Sequence, residues 1–221
     1  MLAAELCASG AETEATFVQN VRQLTYEGKS GEGYFSPDGK AILFQSNDQI
    51  TGIDLWVLPL DGKGQPYSFL RTPANERRAS FSPSGRWVTY LSNMSGRYEV
   101  YARPFLGPAS SGSVQGTGAS SSNFERISSL GRIQPRWSPD GNEIYYVNPE
   151  GRLMAVPVKV AGATLEVGLP VDLFAPRIVG IDSVDSGLQY DVSKDGRFLL
   201  NSISDDTTPI TVVVNWTPPS Q

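Results

Sequence analysis

Ile133-Gln134-Pro135-Arg136-Trp137-Ser138-Pro139-Asp140-Gly141-Asn142-Glu143-Ile144-Tyr145-Tyr146-Val147-Asn148-Pro149-Glu150-Gly151-Arg152-Leu153-Met154-Ala155-Val156-Pro157-Val158 is the stretch whose reading decides the fold. Two turn signals divide it. Ser138-Pro139-Asp140-Gly141 carries a proline that presets φ, an aspartate that caps a turn with its side chain, and a glycine free to take positive φ. Asn148-Pro149-Glu150-Gly151 repeats that chemistry ten residues on. Between and after the turns lie Ile144-Tyr145-Tyr146-Val147 and the run from Leu153, rich in β-branched and aromatic side chains. The stretch therefore predicts three antiparallel strands joined by tight turns, a β-meander.

The same unit recurs. Phe35-Ser36-Pro37-Asp38-Gly39 precedes Ile42-Leu43-Phe44, Phe81-Ser82-Pro83-Ser84-Gly85 precedes Trp87-Val88-Thr89-Tyr90, and Val192-Ser193-Lys194-Asp195-Gly196 precedes Phe198-Leu199-Leu200. The four serines are spaced by 46, 56 and 55 residues. Multi-stranded repeats of roughly 40–50 residues indicate the blades of an all-β propeller of four-stranded antiparallel sheets. The expected blades are 33–72, 78–128, 133–174 and 188–216 within a propeller spanning 20–217, flanked by tails at 1–19 and 218–221. In each blade, strand A ends at Ser-x-x-Gly and B follows it. The C strands are placed at 55–60, 98–105, 153–158 and 210–216. D strands at 67–71, 124–128 and 171–174 complete the first three blades. The fourth lacks one, and strand 21–25 lacks a blade, so pairing of 21–25 with 210–216 closes a four-bladed ring. The alternative is a four-blade portion of a larger propeller. Pro59, Pro104 and Pro157 late in the C strands require a bulge or a strand end, because proline has no N–H to donate. The Gly/Ser-rich segment 107–123 reads as a loop between C and D of blade two, and 177–187 as a loop between blades three and four.

The 221 residues, 39% hydrophobic, suffice for a substantial core. A net charge of −5 argues against nucleic acid as the main partner, since phosphate binding needs a basic field. A single cysteine, Cys7, forms no intrachain disulfide. The chain has no histidine, which removes Ser-His-Asp and Cys-His catalysis, histidine zinc sites and a histidine base. Neither metal nor cofactor is expected. No apolar run reaches the length of a membrane span. The first ten residues lack the basic region of an intact signal peptide.

Several motifs have plain structural readings. Gly28-Lys29-Ser30 lacks the glycine five residues upstream that a phosphate loop needs, where Gln23 stands, and it leads into a strand. In Asp182-Ser183-Val184-Asp185 the carboxylates are three apart, unlike an EF-hand loop. The Ser-x-x-Gly serines are not nucleophile elbows; they serve the turn. Asn93-Met94-Ser95 and Asn215-Trp216-Thr217 match the glycosylation pattern, which occurs often by chance. Arg77, Arg78 and Arg136 fall in strand A, which lines the channel. They present cationic donors to an acidic peptide at the channel mouth, or else pair with acidic neighbours such as Glu76 or Asp140.

The repeated Phe/Trp-Ser-Pro-Asp-Gly, followed by Asp54-Leu55-Trp56-Val57 or Glu99-Val100-Tyr101, resembles the WD-like repeat of the TolB-like β-propeller family. Gln134-Pro135-Arg136-Trp137-Ser138, Gly151 to Val158, Tyr190-Asp191-Val192-Ser193 and Pro209 to Trp216 resemble the C-terminal sensor propeller of bacterial serine/threonine kinases. The resemblance implies a protein-interaction module, an extracytoplasmic sensor, or the propeller part of a serine peptidase. It favours a periplasmic or extracytoplasmic location, with the cytoplasm left open. The kinase's catalytic signature is absent. The expectation from the sequence is thus a propeller, not an enzyme, that binds a protein or peptide at the channel-mouth face through Arg77, Arg78, Arg97, Gln134 and Tyr190. The alternative is the sensor or gating portion of a kinase or serine peptidase. A lectin-like propeller is a third possibility, and the oligomeric state is undetermined.

Overall fold

The computed structural model describes residues 33–48, 50–62, 64–107, 124–129, 133–161, 164–178 and 188–201. The proposed closing strand 21–25, strand 210–216, and most of the two long loops lie outside the described residues. The described residues form fifteen strands and no helix. Blade one is β1 (Gly33–Phe35), β2 (Ala41–Asp48), β3 (Gly52–Pro59) and β4 (Tyr67–Leu70), paired in that order. Blade two is β5 (Glu76–Phe81), β6 (Trp87–Ser92), β7 (Glu99–Pro104) and β8 (Glu125–Arg126), again consecutive and antiparallel.

Blade three contains β9 (Ile133–Trp137), β10 (Glu143–Val147) and β11 (Leu153–Ala161), with two outer partners, β12 (Thr164–Val167) and β13 (Val171–Phe174). This corrects the expected end of the C strand at residue 158. The cause is Pro157. Residues Leu153, Met154 and Ala155 pair with β13, and Val158 to Ala161 pair with β12. Proline sits at the changeover, where no outward N–H is needed, and its carbonyl accepts from the Gly168 amide at 2.8 Å. Pro59 and Pro104 are the last residues of β3 and β7, as expected of strand ends. Of blade four, β14 (Tyr190–Val192) and β15 (Phe198–Leu200) are described.

Three apolar clusters hold the stack together, one per blade junction. Leu43, Val57, Phe81, Tyr90 and Tyr101 join blades one and two. Trp87, Val100, Trp137, Ile144 and Val156 join blades two and three. Tyr145, Leu153 and Tyr190, with Phe198 and Leu200, join three and four. Alternation along each strand puts one set of side chains on each neighbour, so both faces of a middle blade are apolar. Strand β6 is buried at all six positions for this reason.

The Ser-x-x-Gly turns behave as small hydrogen-bonded units. The Ser138 hydroxyl donates to Asp140 Oδ1 at 2.6 Å and accepts from the Glu143 amide at 2.9 Å. The Asp140 carboxylate also accepts from the Asn142 amide at 3.1 Å. These bonds, led by the one from Ser138, hold the Asp140 carboxyl below the usual aspartate range. Ser36 with Asp38, and Ser193 with Asp195, repeat the arrangement. Gly141 has φ of 75°, which the turn requires of it, while a Cβ there would only make ordinary contact with Pro83 of the preceding blade's turn, at 3.6 Å. Ser138→Ala is expected to cost about 1 kcal/mol in a chemical-denaturation experiment, because it leaves the half-buried Glu143 amide without its acceptor.

Candidate functional site at the channel mouth

Strand A is innermost in every described blade, so its side chains line the axis. The residue two before each repeat serine is Tyr34, Ser80, Arg136 and Asp191 in blades one to four. Three of the four meet. The Arg136 guanidinium lies 3.6 Å from Asp191 Oδ1 and 6.0 Å from the centroid of the Tyr34 ring, and its Nη1 donates to the Pro135 carbonyl at 3.1 Å. The ion-pair partner of Arg136 is therefore in blade four, not the Glu76 or Asp140 suggested by sequence proximity. A cation over an aromatic face gains electrostatically, more so when desolvated, and Arg136 is buried. Asp191 and Tyr34 were not among the expected site residues. The signal that finds them is the repeat register itself, read at the position two before the serine.

The connectors from D to A and the loops from B to C lie together at one end of the blades. Two of the five expected residues reach the surface there. Arg97, its side chain 57% exposed, donates from Nε to Glu99 Oε1 at 2.9 Å and from Nη2 to the Ser129 carbonyl at 2.7 Å. It thus spans the start of β7 and the connector leading to blade three. Arg77 is half-buried, with its guanidinium 5.9 Å from the centroid of the Tyr98 ring.

The other three are inside. Arg78 and Gln134 occupy matching positions, four before the repeat serine, and both take left-handed φ, 53° and 59°. Both strands shift register there, Arg77 to Ser80 in β5 and opposite Tyr145 to Val147 in β9. A bulge re-aims the side chains of the innermost strand, and a non-glycine residue at positive φ persists only where its surroundings hold it. For Gln134 the holders are visible. Its Oε1 accepts from the Gln189 amide at 3.0 Å, and its carbonyl accepts from the Tyr190 hydroxyl at 2.8 Å. Burial pushes the Tyr190 phenol up, so it remains a donor. The structure brings Gln134 and Tyr190 together as a clasp between blades three and four.

Beneath the mouth, between blades one and two, is a buried carboxylate, Glu76, which the sequence reading named only as a pairing partner for the strand-A arginines. Glu76 Oε1 accepts from the Thr72 hydroxyl at 2.6 Å and the Ser92 hydroxyl at 3.2 Å. Its Oε2 is buried without a hydrogen-bond partner. Burial first, with a smaller contribution from the Asp54 charge, pushes its pKa up to about 7 against the two hydroxyls and Arg103. Among the described residues, no group of three or more His, Cys, Asp or Glu could hold a metal ion. Nor is any described helix long and apolar enough to cross a membrane.

No family model and no curated protein matches this chain. Solved structures do. A puromycin-hydrolyzing peptidase from Mycobacterium tuberculosis aligns at 18% identity and a TM-score of 0.51, over 76% of this chain and 27% of the peptidase. TolB from Acinetobacter baumannii aligns at 19% identity and a TM-score of 0.43, over 78% of this chain and 43% of that one. The periplasmic gluconolactonase of Pseudomonas aeruginosa aligns at 14% identity and a TM-score of 0.42, over 65% and 40%. The chain thus spans less than half the length of each of these proteins. Blade construction and stacking, with the likeness to the peptidase structure, define the fold as a β-propeller.

The comparisons correct one expectation, that the chain is not an enzyme. A peptidase stands among the solved structures whose fold this chain shares. The physical reason is that a propeller supplies rigid blades while chemistry resides in the loops and channel residues they carry. Missing histidine removes particular mechanisms, not catalysis as a whole.

Proposed function

We propose that this propeller binds a protein or peptide bearing acidic groups at the channel-mouth face. The observation carrying this reading is the placement of Arg97 and Arg77 at the mouth above an axis that holds Arg136. Arg97 offers an exposed guanidinium fork already oriented by Glu99 and Ser129, so little side-chain freedom is lost when a carboxylate docks. The stacking of Arg77 on Tyr98 orients the second cation in the same way. Because Gln134 and Tyr190 form a buried clasp, their replacement tests the fold as much as recognition. The two arginines are the informative substitutions.

The test is fluorescence anisotropy with a labelled glutamate-rich peptide and a lysine-rich control. The acidic peptide is expected to bind with an affinity that falls as salt rises, and Arg97→Ala is expected to weaken it roughly fivefold, or ~1 kcal/mol. Equal binding of both peptides, or indifference to both Arg77→Ala and Arg97→Ala, would reject this face as the site.

A second reading is supported by the 27% share of the peptidase that the chain covers. In it, the chain is the sensor or gating portion of a bacterial serine/threonine kinase or serine peptidase, at an extracytoplasmic location in the kinase case. Sequencing the gene beyond both ends distinguishes the two: a continuous reading frame into a kinase or α/β-hydrolase domain establishes the second.

A further inference from the structure

Arg71, Arg97, Arg136, Arg152 and Arg197 each meet a carboxylate. Arg103, near the end of β7, does not. Its guanidinium makes no hydrogen bond or ion pair with any described residue, and its Nε is buried. It lies instead 5.2 Å from the centroid of the Phe69 ring, on β4 of blade one. Glu76 feels the Arg103 charge, which opposes the rise in its pKa, but the two do not pair. Two residues before Phe69 on the same strand is Tyr67, whose phenol oxygen is also buried without a hydrogen-bond partner. Buried polar groups are nearly always paired, so two unpaired donors at one blade junction leave a place for an acceptor. The surroundings are aromatic. Phe105 packs against Phe69 at 5.8 Å between centroids, the rings tilted by 53°, and against Phe81 at 5.0 Å. Tyr67, Phe69 and Phe105 border the apolar cluster between blades one and two, and all three are half-buried, as is Arg103. Strand β4 is outermost in its blade, and Tyr67 begins it. This seam therefore lies at the outer rim, at the end of the blades opposite the channel mouth.

We propose that the rim seam between blades one and two binds a small aromatic carboxylate, with its carboxylate on the Arg103 guanidinium and its ring among Phe69 and Phe105. Charge complementarity sets the anion: a half-buried cation without a counter-ion favours a negative group, and the guanidinium fork matches a carboxylate edge to edge. Phe69 holds the fork from one side by a cation–π contact, which leaves its N–H groups available to an acceptor. The Tyr67 hydroxyl adds a neutral donor to the same seam. The tilted pair of Phe69 and Phe105 offers ring faces and edges to an aromatic body. Recession sets the size. Arg103 Nε and the Tyr67 oxygen are both sealed from solvent, so the acceptor must enter between the blades. A planar ring bearing one carboxylate can do so, whereas a protein surface cannot. Apolar walls with a few polar groups that fix orientation are what small-molecule sites require. The seam shares no residue with the channel mouth, so it stands or falls independently of peptide binding there.

The test is isothermal titration of the full-length chain with phenylacetate. Acetate and 2-phenylethanol are the controls, carrying the charge alone and the ring alone. Phenylacetate is expected to bind saturably and at least roughly tenfold more tightly than either control, since a hydrogen bond to a charged group and ring burial both contribute. Arg103→Gln is expected to weaken it roughly tenfold and Tyr67→Phe roughly threefold, while Arg97→Ala at the mouth leaves it unchanged. Circular dichroism checks that the variants fold. Tyr67→Phe, which removes one buried oxygen, serves as the variant if Arg103→Gln does not. No saturable binding of phenylacetate up to its solubility limit would overturn the proposal. So would equal affinity for either control, or an affinity unchanged in the folded variants of the seam. Loss of binding in Arg97→Ala would also overturn it, by placing the anion at the channel mouth.

Discussion

Trp137→Ala is expected to destabilise the protein by about 3–5 kcal/mol in urea unfolding, while Trp137→Phe is expected to cost less than ~1.5 kcal/mol. Trp137 is 6% exposed and sits among Trp87, Val100, Ile144 and Val156, where blade two meets blade three. Truncation to alanine removes one of the two tryptophans, the largest side chains of that cluster. The cavity opens between two stiff sheets that cannot collapse into it, so the loss adds to the transfer term. The contrast with phenylalanine follows from the indole N–H. Trp137 Nε1 is buried without a hydrogen-bond partner, so the polar end of the ring contributes a desolvation cost and no compensating bond. Phenylalanine gives up some packing and also removes that cost. A Trp137→Phe variant as unstable as Trp137→Ala would show that the indole N–H is satisfied in solution, and that the junction depends on it.

Glu76→Gln is expected to raise stability at pH 8 by on the order of 2–3 kcal/mol and to leave it nearly unchanged at pH 4.5. The sign follows from which state binds the proton. The buried carboxyl titrates at about 7, above its ordinary value of 4.5. Between those two values the folded chain holds a proton that the unfolded chain has released. Stability from this group is therefore fully present below pH 4.5 and is lost as pH rises toward 7. Opposing it at lower pH are Asp38, Asp140 and Asp195, whose carboxyls are held below the usual range first by the Ser36, Ser138 and Ser193 hydroxyls. Their contribution is lost as pH falls below the ordinary aspartate value of 3.8. Thermal melts of the wild type across pH 3.5–8 are thus expected to peak near pH 4–5 and decline toward pH 8. Glutamine keeps an oxygen to accept from Thr72 and Ser92 and carries no charge beside Asp54, so its profile should be flat above pH 5. A wild-type profile flat between pH 5 and 8 would mean that water reaches Glu76 Oε2.

How much was legible in the sequence differs between the fold and the site. Blade boundaries were readable because a tight turn needs particular atoms. Ser138, Asp140 and Gly141 satisfy amides and supply positive φ wherever they fall in a chain, so their recurrence marks each hairpin without knowledge of neighbours. The departure in blade three was half-visible: Pro157 announced a discontinuity, but the extra hairpin of β11 and β12 depends on where the strand can find a partner past it. At the channel mouth, cationic residue type suggested Arg77, Arg78 and Arg97. Residue type says nothing of direction. A bulge in strand A turned Arg78 and Gln134 inward, and the Gln134 amide went to blade four instead of to the mouth.

What the sequence by itself determined is the repeat: four turn units, their spacing, and the alternation that gives each blade two apolar faces. These depend on local stereochemistry and a period of two, which act over a few residues. Only the tertiary structure decided which groups meet across blades, as Arg136 meets Asp191 and Tyr34, and Gln134 clasps Tyr190. Those contacts join residues from 55 to 102 positions apart. Their partners are set by how sheets stack and twist about the axis, a geometry that no window of the chain contains.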